Sequence, residues 1–403
     1  MSEPVYIIGV GRTDFRRNVR KEGKTIRSLI VEAGAAAIAD AGIEPSAIGA
    51  AVVGNFAAGL FAHQLHLGAF MVEIDPALRG IPTMHVEAAC ASGGVAVLSG
   101  ARQIMGGLNE AVLVIGVEQQ KTMPPLQGSE VLSAAADYSE ERATYGDFLF
   151  PKLFARIAQG YAERYRLSEE QLARVAVKNM AHAHLNPLAQ MREADLTLER
   201  ARVASEANPM IAPPLKVSDC SQITDGAAAL VLCSESFLRR LRPRHASRLR
   251  GFGHTTDYLS LERKEIPSFP IAAKAAAQAY AMAGIGPHEI HGAEVHDCFS
   301  ISEIVQYELL GFAAAGEGIA LLERGATALP DGRCPVNGGG GLIGDGHPVG
   351  ATGVRQVVEA HQQLTGQAGA RQIAGAKHFL TCNIGGSFTT TVVTIWESAP
   401  EVT

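Results

Sequence analysis

The chain has 403 residues, 47% of them hydrophobic and 19% charged, with a formal net charge of -6. That length holds two domain-sized cores, and the composition is that of an ordinary globular protein. The acidic balance speaks against nucleic-acid binding, no apolar run approaches a membrane span, and six cysteines without a C-x-x-C make no disulfide framework.

An apolar strand is predicted over Val5 to Val10, with no signal peptide before it. The C-terminal Glu401-Val402-Thr403 is not a peroxisomal tripeptide, and free thiols imply a reducing compartment, so a cytoplasmic location is expected. Gly9-Val10-Gly11 begins like a dinucleotide fingerprint, but no third glycine follows at the right spacing.

The two halves repeat one another. Residues 27–54 run helix, Ala41-Gly42-Ile43-Glu44-Pro45, then the strand Ala50 to Val53; residues 270–297 run helix, Ala283-Gly284-Ile285-Gly286-Pro287, then Ala293 to Val295. Gly ends each helix and Pro opens each turn. Further on, Gly100-Ala101-Arg102-Gln103-Ile104 corresponds to Gly353-Val354-Arg355-Gln356-Val357, and strands follow at Ala111 to Ile115 and Phe379 to Ile384. Apolar strands alternating with amphipathic helices predict an α/β protein of two similar halves with mainly parallel sheets. The strand Ala227 to Cys233 reads as a late return to the first half. The expected division is 1–117 plus 216–255, an inserted 118–215, and 256–403. The insertion carries helix patterns at Leu153 to Tyr165 and Glu169 to His184 and reads as a lid or substrate-binding subdomain, the alternative being a structural insertion.

Cys90 follows small residues and precedes a helix pattern from Gly93 to Met105. A helix N-terminus stabilises a thiolate, so its pKa is expected to be lowered. The basic run from Arg239 to Arg250 reads as a solvated linker or as an attraction site for a phosphorylated ligand. His296-Asp297-Cys298-Phe299 ends one strand and starts a helix, the end of a strand where α/β ligands bind. His347 lies in the glycine-rich loop Asn337 to Pro348, which lacks the Gly-Lys-Ser/Thr of a nucleotide P-loop; its imidazole can activate a nearby thiol. Cys382 ends another apolar strand and is expected to face the same pocket, whereas Cys220 and Cys233 read as structural. No second cluster has zinc-like spacing, so no metal is expected. Two thiols and two imidazoles suit acyl transfer through a thioester.

With these residues assembled, the chain resembles the thiolase superfamily, and within it the branch typified by sterol carrier protein X. The resemblance rests on Val5 to Thr13, the Cys90 turn, Lys178-Asn179, Asn186 to Ala189, Asp219-Cys220-Ser221, Asp225 to Ala228, the His296 tetrad and the His347 loop. It implies the thiolase fold, two βαβαβ-type halves in α/β/α/β/α layers with an inserted loop subdomain. It also implies an acyl-CoA C-acyltransferase forming or cleaving 3-ketoacyl-CoA by Claisen chemistry. Cys90 would carry the acyl group, His347 would activate it and share an oxyanion hole with His296, and Cys298 would be the acid/base for the α-carbon. A second oxyanion hole would come from backbone N–H groups, including that of Cys90. Another thiolase branch uses a C-terminal Cys-x-Gly; here Gly385 comes one residue late after Cys382, so either thiol remains a candidate. The only cofactor implied is coenzyme A itself, as substrate or product. The partners implied are acyl-CoA and a second copy, as a homodimer or dimer of dimers. The alternatives are an aldolase or acyltransferase subunit acting with a small OB-fold zinc partner, and a non-catalytic lipid- or CoA-binding homologue.

Overall fold

The computed structural model describes residues 3–399. One sheet is built from β1 (Val5–Arg12), β2 (Ala50–Gly54), β3 (Thr83–Val86), β4 (Ala111–Gln119), β5 (Asp225–Ser234), β6 (Ser247–Thr256), β7 (Gly292–Glu294), β8 (His378–Gly385) and β9 (Thr390–Ser398), in the spatial order β3-β2-β4-β5-β1-β6-β9-β8-β7. The link between β1 and β6 consists only of Tyr6 opposite Arg248 and Ile7 opposite Ser247, so the sheet divides there into two halves.

The main helices are α1 (Ile26–Ala41), α2 (Ser92–Met105), α3 (Leu149–Tyr165), α4 (Glu169–His184), α5 (Pro270–Ala283), α6 (Ser300–Leu309) and α7 (Thr352–Leu364). Leu29, Ala33 and Ala37 of α1 pack on Leu113, Ile115 and Val231 of the first half-sheet. Ala272, Ala275 and Ala279 of α5 pack on Leu380, Val393 and Ile395 of the second. Between the half-sheets, Val97 and Ala101 of α2 share a core with Val354 and Val358 of α7. The result is the five-layer α/β/α/β/α arrangement. Glycine lets the two central helices touch: a Cβ on Gly93 would lie 2.8 Å from the Gly353 nitrogen.

The repeat read from the sequence is present. α1 ends at Gly42 (φ 64) and α5 at Gly284 (φ 68), both left-handed. A single 3-10 turn begins at Pro45 in one half and at Pro287 in the other.

The expectation of mainly parallel sheets is corrected. β1–β5, β1–β6, β4–β5, β6–β9 and β8–β9 are antiparallel; β2–β3, β2–β4 and β7–β8 are parallel. Continuous apolar runs report burial on both faces, and helices cover both faces here whatever the strand direction. Two boundaries also differ from the expected division. β4 continues to Gln119, past the expected start of the insertion. Within 216–255, β5 lies in the first half-sheet, whereas β6 pairs with β9 along most of its length and so lies in the second. Inside the insertion, Ser168 and Gln171 form a capping box at the start of α4. No helix among the described residues is long and apolar enough to cross a membrane.

Candidate active site

Cys90 sits in a tight turn between β3 and α2. Ala89 before it is left-handed (φ 51), a conformation that a non-glycine residue holds only under local constraint. Ser92 supplies that constraint: its hydroxyl accepts the Ala88 N–H at 2.9 Å and donates to the Ala89 carbonyl at 2.6 Å.

The chain carries His347 to the same place from the other half. Its loop is held by Asp297, whose carboxylate accepts the Leu342 N–H at 2.6 Å and the Ile343 N–H at 3.2 Å. The Asn179 amide donates to the same carboxylate at 2.7 Å. The His347 backbone N–H donates to Thr224 Oγ1 at 2.9 Å, and its ring Nδ1 lies 2.7 Å from Thr352 Oγ1. His296 stands edge-on to His347, with ring centroids 5.0 Å apart at 86°. A ring nitrogen of each histidine and the Cys90 sulfur all lie within 4.8 Å of one another. Segments more than two hundred residues apart thus meet at one point.

Cys90, Cys298 and His347 line one cavity of about 560 Å³. Phe154 and Phe299, stacked at 4.6 Å, form its buried wall; Phe148 and Ile211 stand exposed along it. No Asp, Glu, Lys or Arg side chain is among the described residues lining it. His296 is buried and is not among the residues lining the cavity, but a ring nitrogen of it lies within 4.8 Å of the Cys90 sulfur and of His347, which do line it.

The electrostatics correct one expectation. Burial pushes the Cys90 thiol up to about 12, despite the Gly386 and Cys90 N–H groups that favour the anion; Glu118 and Glu87 push the same way as burial. Desolvation outweighs these two N–H groups. Burial also raises the Cys298 thiol well above its ordinary range, helped by Cys90 and Asp297. Burial lowers His347 to about 3, with the Arg355 charge adding to the effect. His296 is lowered for the same first reason, then by His347 and Arg355. All four groups are therefore neutral at rest. A neutral imidazole can accept a thiol proton, and a neutral N–H can donate to a developing oxyanion.

The family models for the thiolase N-terminal domain and the thiolase C-terminal domain-like region match residues 5–199 and 253–398. The chain belongs to the thiolase family. An acetyl-CoA acetyltransferase of Methanothermobacter thermautotrophicus is 38% identical over 393 residues, covering 97% of this chain and 99% of that one. Human sterol carrier protein 2 is 32% identical over 397 residues, covering 94% of this chain and 70% of the relative. Among solved structures, the Ltp2-ChsH2(DUF35) aldolase superposes with a TM-score of 0.83 at 26% identity, covering 98% of each chain. This thiolase-family chain is an acyltransferase.

Several thiolase residues sit differently from the sequence expectation. Cys382 does not line the cavity; with Leu380 and Ile384 it packs into the core beneath α5. Strand alternation turns the next residue, Asn383, toward the site instead. Asn383 was not singled out from the sequence, although it is the residue that stands two before Gly385. Its amide donates to the Cys90 carbonyl at 2.9 Å and lies 3.2 Å from His296 Nδ1. Gly386, whose N–H faces the Cys90 sulfur, was also missed. Cys220 lines the cavity instead of being purely structural. In the basic run, Arg239 pairs with Glu235, Arg240 with Glu110, and Arg248 and Arg250 with Glu397; none of them lines the cavity.

Proposed function

We propose that Cys90 carries the acyl group in a two-step Claisen reaction on acyl-CoA. The meeting of the Cys90 sulfur with two imidazoles within 4.8 Å carries this reading. In the first step the Cys90 proton passes to His347 as sulfur attacks the thioester carbon. The N–H groups of Cys90 and Gly386 receive the oxyanion. Coenzyme A leaves as a thiolate and takes the Cys298 proton, so the cavity then holds a Cys298 thiolate and a His347 imidazolium. In the second step Cys298 removes an α-proton from a second acyl-CoA. The enolate oxygen accepts from His296 and from the His347 imidazolium. The enolate attacks acyl-Cys90, and the departing Cys90 thiolate recovers its proton from His347. Run backwards, the same steps cleave 3-ketoacyl-CoA. Two buried neutral thiols suit this sequence, because each ionises only while the reaction supplies a compensating charge.

Cys298 fills the acid/base role in this reading because it lines the cavity and Cys382 does not. Residues 118–215 act as the lid, supplying Leu132, Phe148 and Phe154 to the cavity. Two copies pair along β3, a sheet-edge strand left largely exposed, with Met84 at 45% exposure. The setting is cytoplasmic. A second reading adds a small OB-fold zinc partner; the likeness to the Ltp2-ChsH2(DUF35) aldolase favours it. The test is Cys298→Ala. It forms the Cys90 acyl adduct but neither condenses nor exchanges α-protons. If Cys382→Ala shows that behaviour and Cys298→Ala does not, the assignment is wrong.

A further inference from the structure

The Asn383 side chain can sit only one way round. Its Oδ1 accepts the Gly94 N–H at 3.0 Å, and its Nδ2 donates to the Cys90 carbonyl at 2.9 Å. Reversing the amide would set oxygen against a carbonyl oxygen and NH2 against an N–H. The second hydrogen of Nδ2 therefore points at His296 Nδ1, 3.2 Å away. That ring nitrogen must offer a lone pair, which leaves the proton on Nε2.

The His296 main chain is pinned as well. Its N–H donates to Gln306 Oε1 at 2.9 Å, and its carbonyl accepts from Ser302 Oγ at 2.7 Å and Gln306 Nε2 at 2.9 Å. His347 is set the opposite way. The Thr352 hydroxyl lies 2.7 Å from His347 Nδ1 and 3.2 Å from the Pro348 carbonyl; in the reaction proposed above it gives its hydrogen to that carbonyl and accepts from His347 Nδ1–H, which leaves Nε2 as the proton acceptor. Two neighbouring imidazoles are thus given different jobs by their outer partners.

We infer that Asn383 is a positioning residue that holds His296 in its Nε2–H form, so that His296 donates a hydrogen bond to the enolate oxygen. The inference rests on the reaction proposed above. An aspartate here would accept from His296 Nδ1–H and reverse the tautomer. An alanine would leave Nδ1 without a partner and the ring free to turn.

The test is the ¹⁵N NMR signature of the His296 ring in wild type, Asn383→Asp and Asn383→Ala, with the signal assigned by its loss in His296→Gln. Thermal melting and circular dichroism identify any variant that fails to fold; Asn383→Asp, near in shape, is the principal arm. The expected result is protonated Nε2 and bare Nδ1 in wild type, and protonated Nδ1 in Asn383→Asp. Condensation kcat falls about 100-fold in Asn383→Asp, the loss typical of one oxyanion donor. KM stays within about threefold, and the loss in kcat exceeds any loss in Cys90 acylation at least about tenfold. Bare Nε2 in wild type, an unchanged tautomer in Asn383→Asp, or equal losses in acylation and condensation would overturn the inference. Absence of any acyl adduct on wild type would instead refute the reaction itself, and the tautomer measurement, made on resting protein, would still decide what Asn383 does to the ring.

Discussion

The carboxylate of Asp297 fills the hollow beside Gly341: a Cβ there would lie 2.6 Å from Asp297 Oδ1. The glycine-rich loop before His347 thus cradles a carboxylate of the protein itself, and that contact places the imidazole. Asp297 is buried, which raises its pKa, and the Glu303 charge adds to that; the Leu342 and Ile343 N–H groups oppose both.

Gly341→Ala therefore meets two penalties, the clash with Asp297 and a backbone held at φ +61. It is expected to lower unfolding stability by about 1–3 kcal/mol from strain alone. Urea denaturation measures this, and kcat should fall with it because His347 shifts. A stability and kcat equal to wild type would show that the loop does not depend on that hollow.

Cys90 alkylation should follow the protonation states found here. With the thiol near 12 and His347 near 3, there is no thiolate–imidazolium pair at rest. The folded thiol releases its proton only as pH rises toward its raised pKa, so alkylation should climb about tenfold per pH unit from about pH 6 to about pH 9, with no step near 6.5. Mass spectrometry of the Cys90 peptide after iodoacetamide treatment reads this directly. A plateau beginning near pH 6 would mean an activated resting thiolate.

No charged side chain among the described residues lines the cavity, and this sets a limit on the acyl group. An acyl chain ending in a carboxylate would bury that charge unpaired, at a cost of several kcal/mol. Succinyl-CoA is expected to acylate Cys90 at least about 100-fold more slowly than butyryl-CoA in a stopped-flow assay, since about 1.4 kcal/mol is worth tenfold. Equal rates would mean that the charged end reaches a partner outside this wall.

Cys90, His296 and His347 also bring one sulfur and two imidazole nitrogens, all zinc-ligating atoms, together. A zinc ion bound there would occupy the thiol. Micromolar zinc is expected to inhibit, chelator to restore activity, and prior acylation of Cys90 to protect. Inhibition that ignores prior acylation would place the metal elsewhere.

What could be read from the sequence follows from how local each feature is. Cys90, Cys298 and His347 stand out because each lies at a strand end or in a glycine loop beside small residues, a pattern visible within a dozen positions. The Gly42/Pro45 and Gly284/Pro287 turns revealed the repeat for the same reason. Asn383 and Gly386 acquire their roles through Cys90 and Gly94, brought from the other half of the chain, and Asp297 through Asn179 and the Leu342 and Ile343 N–H groups, all far from it in sequence. Cys382 was misplaced by one position because an apolar strand does not announce which face meets a cavity; both of its faces are buried here. A lowered Cys90 pKa is what the local sequence suggests, whereas the raised one follows from desolvation, which depends on everything packed around the thiol.

The most direct test is intact mass after incubation with acetyl-CoA or acetoacetyl-CoA, on wild type and on Cys90→Ala. Wild type is expected to gain one acyl group and Cys90→Ala none. No adduct on wild type across several acyl chain lengths, or an adduct that persists in Cys90→Ala, would contradict the assignment of Cys90 as the acyl carrier.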